Sequence, residues 1–167
     1  MRNILRLLSS FIAPVLLCFV LPYFLIRFEH RITGYSMFAT SILLWVIGLV
    51  LCASGLGLAI VTIRMFILIG DGTIMPWDPT RGLIVASLYS RVRNPLILSL
   101  FILLIGEAIL FVSYGIALVA ILFFVINTIY FIYSEEPGLE RRFGEEYIEY
   151  KKNVPRWIPR LKPWRPV

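Results

Sequence analysis

Charged residues are scarce in this chain of 167: sixteen Lys and Arg and ten Asp and Glu, 16% of the whole. A water-soluble domain of this size needs far more polar surface, so the shortage argues against a soluble globular fold. Histidine occurs once and cysteine twice, at Cys18 and Cys52. That leaves no cluster with metal-ligand spacing, and no metal is expected. Both cysteines lie inside apolar segments, where they read as small packing residues and not as a disulfide. The chain also lacks the pattern of one short apolar stretch followed by a small-residue cleavage site. Apolar segments recur along most of its length, so the first reads as a retained span and not a signal. No internal repeat or low-complexity tract is evident.

What is present in quantity is apolar surface, 59% of residues with a mean hydropathy of +0.86. Leu7 to Ile26 carries no charge, and about 20 residues of helix match one bilayer core of roughly 30 Å. Pro14 and Pro22 are expected to kink this span, and Arg27, Glu29, His30 and Arg31 to close it. After a turn at Thr33-Gly34, a second span runs from about Met37 to Ile63, with Gly48, Ser54, Gly55 and Gly57 as a small-residue face for close helix contact. The stretch GDGTIMPWDPTRG, Gly70 to Gly82, is a loop by composition, with Trp77 suited to the membrane interface.

From Asn94 to Ser134 the only charge is Glu107. One helix of that length would be roughly twice the core thickness, so a hairpin is expected, with spans of about Pro95–Val112 and Ile116–Tyr133 broken at Ser113-Tyr114-Gly115. Pro95 suits a first helical turn, and Glu136-Pro137 is expected to end the last span. Leu139, Phe143, Tyr147 and Tyr150 then recur at helical spacing among charges, the pattern of an amphipathic interfacial helix. The tail VPRWIPRLKPWRPV alternates Pro, Arg and Trp and suits an extended interfacial cap.

The expectation is an all-α integral membrane protein of about four transmembrane helices, the last two a hairpin, with a C-terminal amphipathic helix. It is one membrane domain over 1–167: two N-terminal spans (1–69), a cytoplasmic loop (70–94), the hairpin (95–134) and a C-terminal cap (135–167). With the N-terminus inside, only Arg27 and Arg31 of the sixteen Lys and Arg fall on the outer side, which places both termini in the cytoplasm. The net charge of +6 lies between and after the apolar segments, as expected for contact with anionic lipid headgroups and not with nucleic acid. The number of copies in an assembly is not legible.

Polar groups gather on that cytoplasmic side: Arg81-Gly-Leu-Ile, Tyr89-Ser-Arg-Val-Arg-Asn-Pro, Glu135-Glu136 and the basic tail. A hairpin brings Arg93-Asn94 and Glu135-Glu136 to one membrane level, where cation, anion and amide converge on a place fit for a zwitterion. Taken singly, each element also has a bland reading: arginines as topology anchors, the acidic pair as solvated, an Arg–Glu contact as a staple. Glu107, inside a span, is a candidate functional group by its cost in lipid, or a group satisfied within the bundle.

Over roughly Gly70 to Pro166 the sequence resembles the isoprenylcysteine carboxyl methyltransferase and phospholipid methyltransferase superfamily of membrane enzymes. The resemblance rests on the order of several pieces: Gly-x-Gly-Thr-x-x-Pro-Trp-Asp-Pro from Gly70 to Pro79; Leu83 to Pro95 with Tyr-x-x-x-Arg-Asn-Pro; Gly106-Glu107-Ala108; Glu135-Glu136; Phe143-Gly144-Glu145-Glu146-Tyr147; Tyr150-Lys151-Lys152; and Val154-Pro155-Arg156 with Pro159. It implies S-adenosylmethionine as methyl donor, held between the hairpin and the C-terminal cap by Arg81, Leu83, Ile84, Tyr89, Asn94, Pro95, Leu96, Ile97 and Glu135. Arg93 is the candidate partner for the cofactor's carboxylate. The implied acceptor is lipophilic, a phospholipid amine or an isoprenoid or lipid carboxylate, and Glu136 is a candidate to help an amine lose its proton. No nucleophilic residue is called for, since methyl transfer from a sulfonium is a direct displacement.

Where the family usually has Tyr and Gly after the proline, this chain has Ile97 and Ser99; for Gly-Pro-Tyr it has Ser87-Leu88-Tyr89; and Phe131 stands where the carboxyl methyltransferases place a substrate-binding arginine. The rival expectation is a non-catalytic membrane protein of the same fold that binds a lipid or a protein partner.

Overall fold

The computed structural model describes residues 12–34, 41–69 and 82–165; among them there are helices, turns and extended segments but no strand. The loop Gly70–Arg81, with the candidate Arg81 and Trp77, and the N-terminal parts of the first two expected spans, Leu7–Phe11 and Met37–Thr40, lie outside the described residues.

The first helix runs over Ile12–Thr33 and includes a π turn at Leu16–Val20 followed by α1, Leu21–Thr33. It continues through the charged group Arg27–Arg31 that was expected to end it. None of those residues breaks a helix, and long basic side chains in a last turn can reach toward water. What ends it is Gly34, in the left-handed region at φ 68, whose N–H donates to the His30 carbonyl at 2.9 Å.

The second helix, α2, spans Ile42–Ile69, and α3 spans Pro95–Leu110 with Pro95 in its first turn as expected. These two approach closely through missing side chains. A Cβ on Gly55 would sit 2.7 Å from the Leu103 nitrogen, and one on Gly106 would sit 2.7 Å from the Cys52 nitrogen; Gly48 faces Leu110 in the same way. The expected small-residue face is therefore real at Gly48 and Gly55, whereas Ser54 and Gly57 are exposed and Gly57 faces open space. Cys18, Leu100, Leu103, Leu104, Ala108, Ile116 and Ala120 form the buried core. Both cysteines are free, Cys18 buried and Cys52 half-buried, in keeping with packing roles.

The hairpin turn falls where the sequence placed it. Helix α3 stops at Leu110, Val112 takes a positive φ of 48, and the Ser113 hydroxyl accepts from the Ile116 N–H at 3.1 Å to start α4, Tyr114–Tyr130. A second acceptor comes from α1: the Glu29 carboxylate takes the Gly115 N–H at 2.6 Å, which satisfies another donor of the same helix start and ties the C-terminal end of α1 to the hairpin.

Helix α4 does not end at Glu136-Pro137. It passes through a second π turn, Phe131–Glu135, into α5, Glu136–Phe143, so that Tyr114–Phe143 is continuous. The Glu136 N–H donates to the Phe131 carbonyl five residues back. In an ordinary α-helix the ring of Pro137 would crowd the carbonyl four residues earlier and leave it without a donor; the wider turn removes that conflict and lets Glu136 keep helical angles. The first helix uses the same device, because its π turn also ends two residues before a proline, Pro22.

The expected single amphipathic helix is two. Gly144, at φ 56 and ψ −132, a conformation open to glycine, separates α5 from α6, Glu145–Asn153. The apolar stripe turns onto the chain itself: Tyr147, Tyr150 and Val154 are buried against Leu83, Val85, Leu139, Phe143 and Trp164. Beyond α6 the tail is irregular and runs back along residues 90–93, paired through Arg93 N–H to Pro155 O at 2.9 Å, Arg160 N–H to Arg91 O at 3.0 Å and Trp164 N–H to Ser90 O at 2.8 Å.

Among the described residues three helices, Ile12–Thr33, Ile42–Met65 and Tyr114–Phe143, are long and apolar enough to cross a membrane, and the shorter apolar α3 packs among them. Their outward faces carry exposed Ile42, Leu43, Leu118, Ile126 and Ile129, the composition of a surface in contact with lipid. The protein is an all-α, multi-pass membrane protein.

Candidate functional site

The entrance to α3, the π turn at the end of α4 and the C-terminal tail meet at one end of the bundle, and a single carboxylate joins them. Glu136, 2% exposed, accepts from Arg93 Nη1 at 2.8 Å and Arg156 Nε at 2.6 Å on Oε1, and from Arg156 Nη2 at 2.9 Å on Oε2. Lys151 Nζ lies 3.3 Å from Oε2 and 2.7 Å from Glu140. One anion thus ties together the segment before α3, helix α6 and the tail. Arg156 binds it with two parallel bonds, the geometry that suits guanidinium to carboxylate. Glu136 raises the affinity of the Arg156 guanidinium for its proton, the Glu136 hydrogen bond being the largest cause; for Lys151 that first place belongs to Glu140.

Around this clamp sit buried phenols. Tyr150 donates to the Tyr89 carbonyl at 2.8 Å. Burial pushes the Tyr147 phenol up to about 12, with Glu136 adding to the effect; burial likewise raises Tyr89 and Tyr150. All three are neutral donors at ordinary pH.

The sequence candidates fall as follows. Leu83 packs on the Tyr147–Tyr150 cluster, and Ile84 is buried. Asn94 stands just before α3 without capping it, and its Nδ2 is buried with no partner among the described residues; Arg93 Nε is in the same state. Pro95 is buried; Leu96 and Ile97 are half-buried, and the Leu96 carbonyl accepts from the Ser99 hydroxyl at 2.6 Å. Glu135 is half-buried and makes no hydrogen bond or ion pair with a described residue. The hairpin therefore brings Arg93 and Glu136 together, as the common membrane level of the two pairs required.

Sequence reasoning missed Trp157. Its ring lies 4.8 Å from Phe124 and 5.9 Å from Phe131, and its Nε1 is buried without a partner. It counted Arg156 and Lys151 among the motifs of the resemblance without placing either on the acidic pair. Phe131 is buried against Trp157, so its position holds an aromatic edge where an arginine was absent from the sequence. Glu107 is buried near the far end of α3, with Oε2 unpartnered, and is not part of this site. Among the described residues no group of His, Cys, Asp or Glu is arranged to hold a metal.

Comparisons with curated proteins and with solved structures return no match. The model of the phospholipid methyltransferase family matches residues 42–146, from the start of α2 through the hairpin and the acidic pair into α6. By that match, over well more than half of its length, the chain belongs to the phospholipid methyltransferase family.

Proposed function

We propose that this protein transfers a methyl group from S-adenosylmethionine to a lipophilic acceptor, with the cofactor held at the clamped end of the α3–α4 hairpin. The observation that carries the reading is a set of three buried donors with no partner among the described residues, Arg93 Nε, Asn94 Nδ2 and Trp157 Nε1, together with a carboxylate, Glu135, that no described residue engages. Unpartnered buried polar groups are rare in folded chains and call for a ligand or water. The donors suit the carboxylate and ring acceptors of the cofactor, and Glu135 suits its cationic and hydroxyl groups. When bound, the cofactor supplies a sulfonium-activated methyl group open to direct displacement by a lone pair. The chain's part is to align the two reactants and exclude water; Trp157 packs on Phe124 and Phe131 of the hairpin.

In this reading Arg81, Leu83, Ile84, Tyr89, Pro95, Leu96 and Ile97 line the cofactor site with Asn94 and Glu135. Glu136 serves as the clamp and not as a base: three hydrogen bonds from Arg93 and Arg156 and the Lys151 ammonium at 3.3 Å take up its lone pairs. Ser99 does not weigh against cofactor binding, because its backbone faces Gly55 across the α2–α3 contact, a place that serves helix packing. The Lys and Arg distribution supports a cytoplasmic site with both termini on that side.

Calorimetry on the purified protein tests the proposal. S-adenosylmethionine should bind, and Glu135→Gln, which keeps size and removes charge, should weaken binding about tenfold or more, as a charged hydrogen bond contributes roughly 1.5–3 kcal/mol. Equal affinity in a folded variant would reject the assignment of Glu135.

The acceptor class follows from Phe131. A carboxylate leaving water needs a cation, and the Phe131 side chain, buried on Trp157, supplies none; Arg156 and Arg93 are held by Glu136. Amine-bearing or neutral lipids should therefore be methylated faster than prenylcysteine analogues in steady-state assays with matched acceptors. A prenylcysteine carboxylate outpacing every lipid amine would refute this.

A further inference from the structure

The tail presents its side chains in two directions. Trp157 points into the hairpin, onto Phe124, which itself lies 4.7 Å from Phe101 of α3. Phe124 precedes Glu136 along the helix by twelve residues, about 18 Å of rise, and Phe131 precedes it by about 7 Å. The indole is thus held level with the apolar part of the hairpin. Its neighbour Ile158 is 80% exposed, and Leu161 is 92% exposed.

These two side chains are not on a loose end. Arg91 Nη1 donates to the Arg160 carbonyl at 3.4 Å and also to the Leu161 carbonyl. Arg160 Nη1 donates to the Asn153 carbonyl at 2.7 Å. The flanking backbone is paired with residues 90–93 on both sides. Pro155, Pro159 and Pro163 remove three N–H groups that would otherwise need partners away from water. From Val154 to Arg165 there is no acidic residue. Arg156 and Arg160 are engaged, whereas Lys162 and Arg165 are exposed and form no ion pair among the described residues.

We propose that this face is a membrane-docking surface: Ile158 and Leu161 enter the apolar layer of the leaflet around the hairpin, and Lys162 and Arg165 rest on the anionic headgroups above it. Depth and charge both select lipid as the occupant. Trp157, the chain neighbour of Ile158, fixes its level against the apolar part of the hairpin, whose outward side chains are themselves apolar and exposed. Its two open cations are placed one to four residues past Leu161, as in segments that pair buried apolar groups with basic residues at an anionic surface. The tail is then a part of the membrane-embedded protein and not a cytosolic extension, independently of methyl transfer.

Spin labels on full-length Ile158→Cys and Leu161→Cys, in lipid nanodiscs containing anionic phospholipid, test this against Glu149→Cys on the exposed side of α6; unsubstituted protein gives the background from Cys18 and Cys52. Labels at 158 and 161 should be relaxed by oxygen and shielded from a water-soluble nickel chelate, with a ratio several-fold above that at 149. Equal access of nickel to all three positions would overturn the proposal. Discs of zwitterionic lipid should lower the ratio at 158 and 161, and Lys162→Gln with Arg165→Gln should abolish that dependence on lipid charge. The same ratio in both lipids would overturn the role given to the two cations.

Discussion

Replacing Glu136 by alanine should destabilise the protein by about 3–5 kcal/mol, the range found when one member of a buried ion pair is removed and its partners stay behind. Arg93 and Arg156 would lose their shared acceptor, and the tail would lose its only ionic hold on the hairpin among the described residues. The loss should appear as a lower unfolding midpoint in detergent together with faster tryptic cleavage after Arg156 and Arg160. The triple replacement of Arg93, Glu136 and Arg156 by methionine should recover much of that stability while abolishing cofactor binding, because an apolar set of similar volume removes the uncompensated charges. An alanine variant that melts like the unsubstituted protein would show that the clamp holds nothing together.

Gly55→Ala and Gly106→Ala should each cost about 1–3 kcal/mol, and valine at either position more, since added atoms in a tight contact force backbones apart. What makes these sites severe is the identity of the obstacle. The new methyl would meet backbone atoms of the opposite helix at 2.7 Å, which cannot rotate away as a side chain can. Gly57→Ala is the control. It lies in α2 with Gly55 but has open space around it, and should be neutral or slightly stabilising because alanine favours helix by up to about 1 kcal/mol. Thermal unfolding in one detergent decides it: three equal effects would remove the close α2–α3 approach as the cause.

Most of the architecture was legible because lipid imposes a simple rule on composition. Uncharged stretches became helices, the break at Ser113 became the hairpin turn, and Pro95 opened its helix. The ends were read less well where a local rule met a larger one. Pro137 indicates a helix stop when only its neighbours are considered, yet the backbone absorbs it with a wider turn. Arg27 to Arg31 mark where the chain leaves an apolar layer, not where a helix ends. At the site, the sequence placed Arg93 opposite the acidic pair because both flank the same hairpin. It did not place Arg156, Lys151 or Trp157, whose approach depends on how the tail folds back along residues 90–93, and no periodicity encodes that path.

The turn at Phe131–Glu135 has an effect on rotational phase. Along α4 the inward positions are Ile116, Ala120, Phe124, Asn127 and Phe131, and an uninterrupted α-helix would carry that line to Glu135. One additional residue in the turn advances the helix by about 100°, so Glu136 arrives there instead and meets Arg93 and Arg156. Two adjacent glutamates, chemically the same, are thereby given different fates by a single unit of helical register: one is locked into the frame, and its neighbour stays available to whatever enters the site.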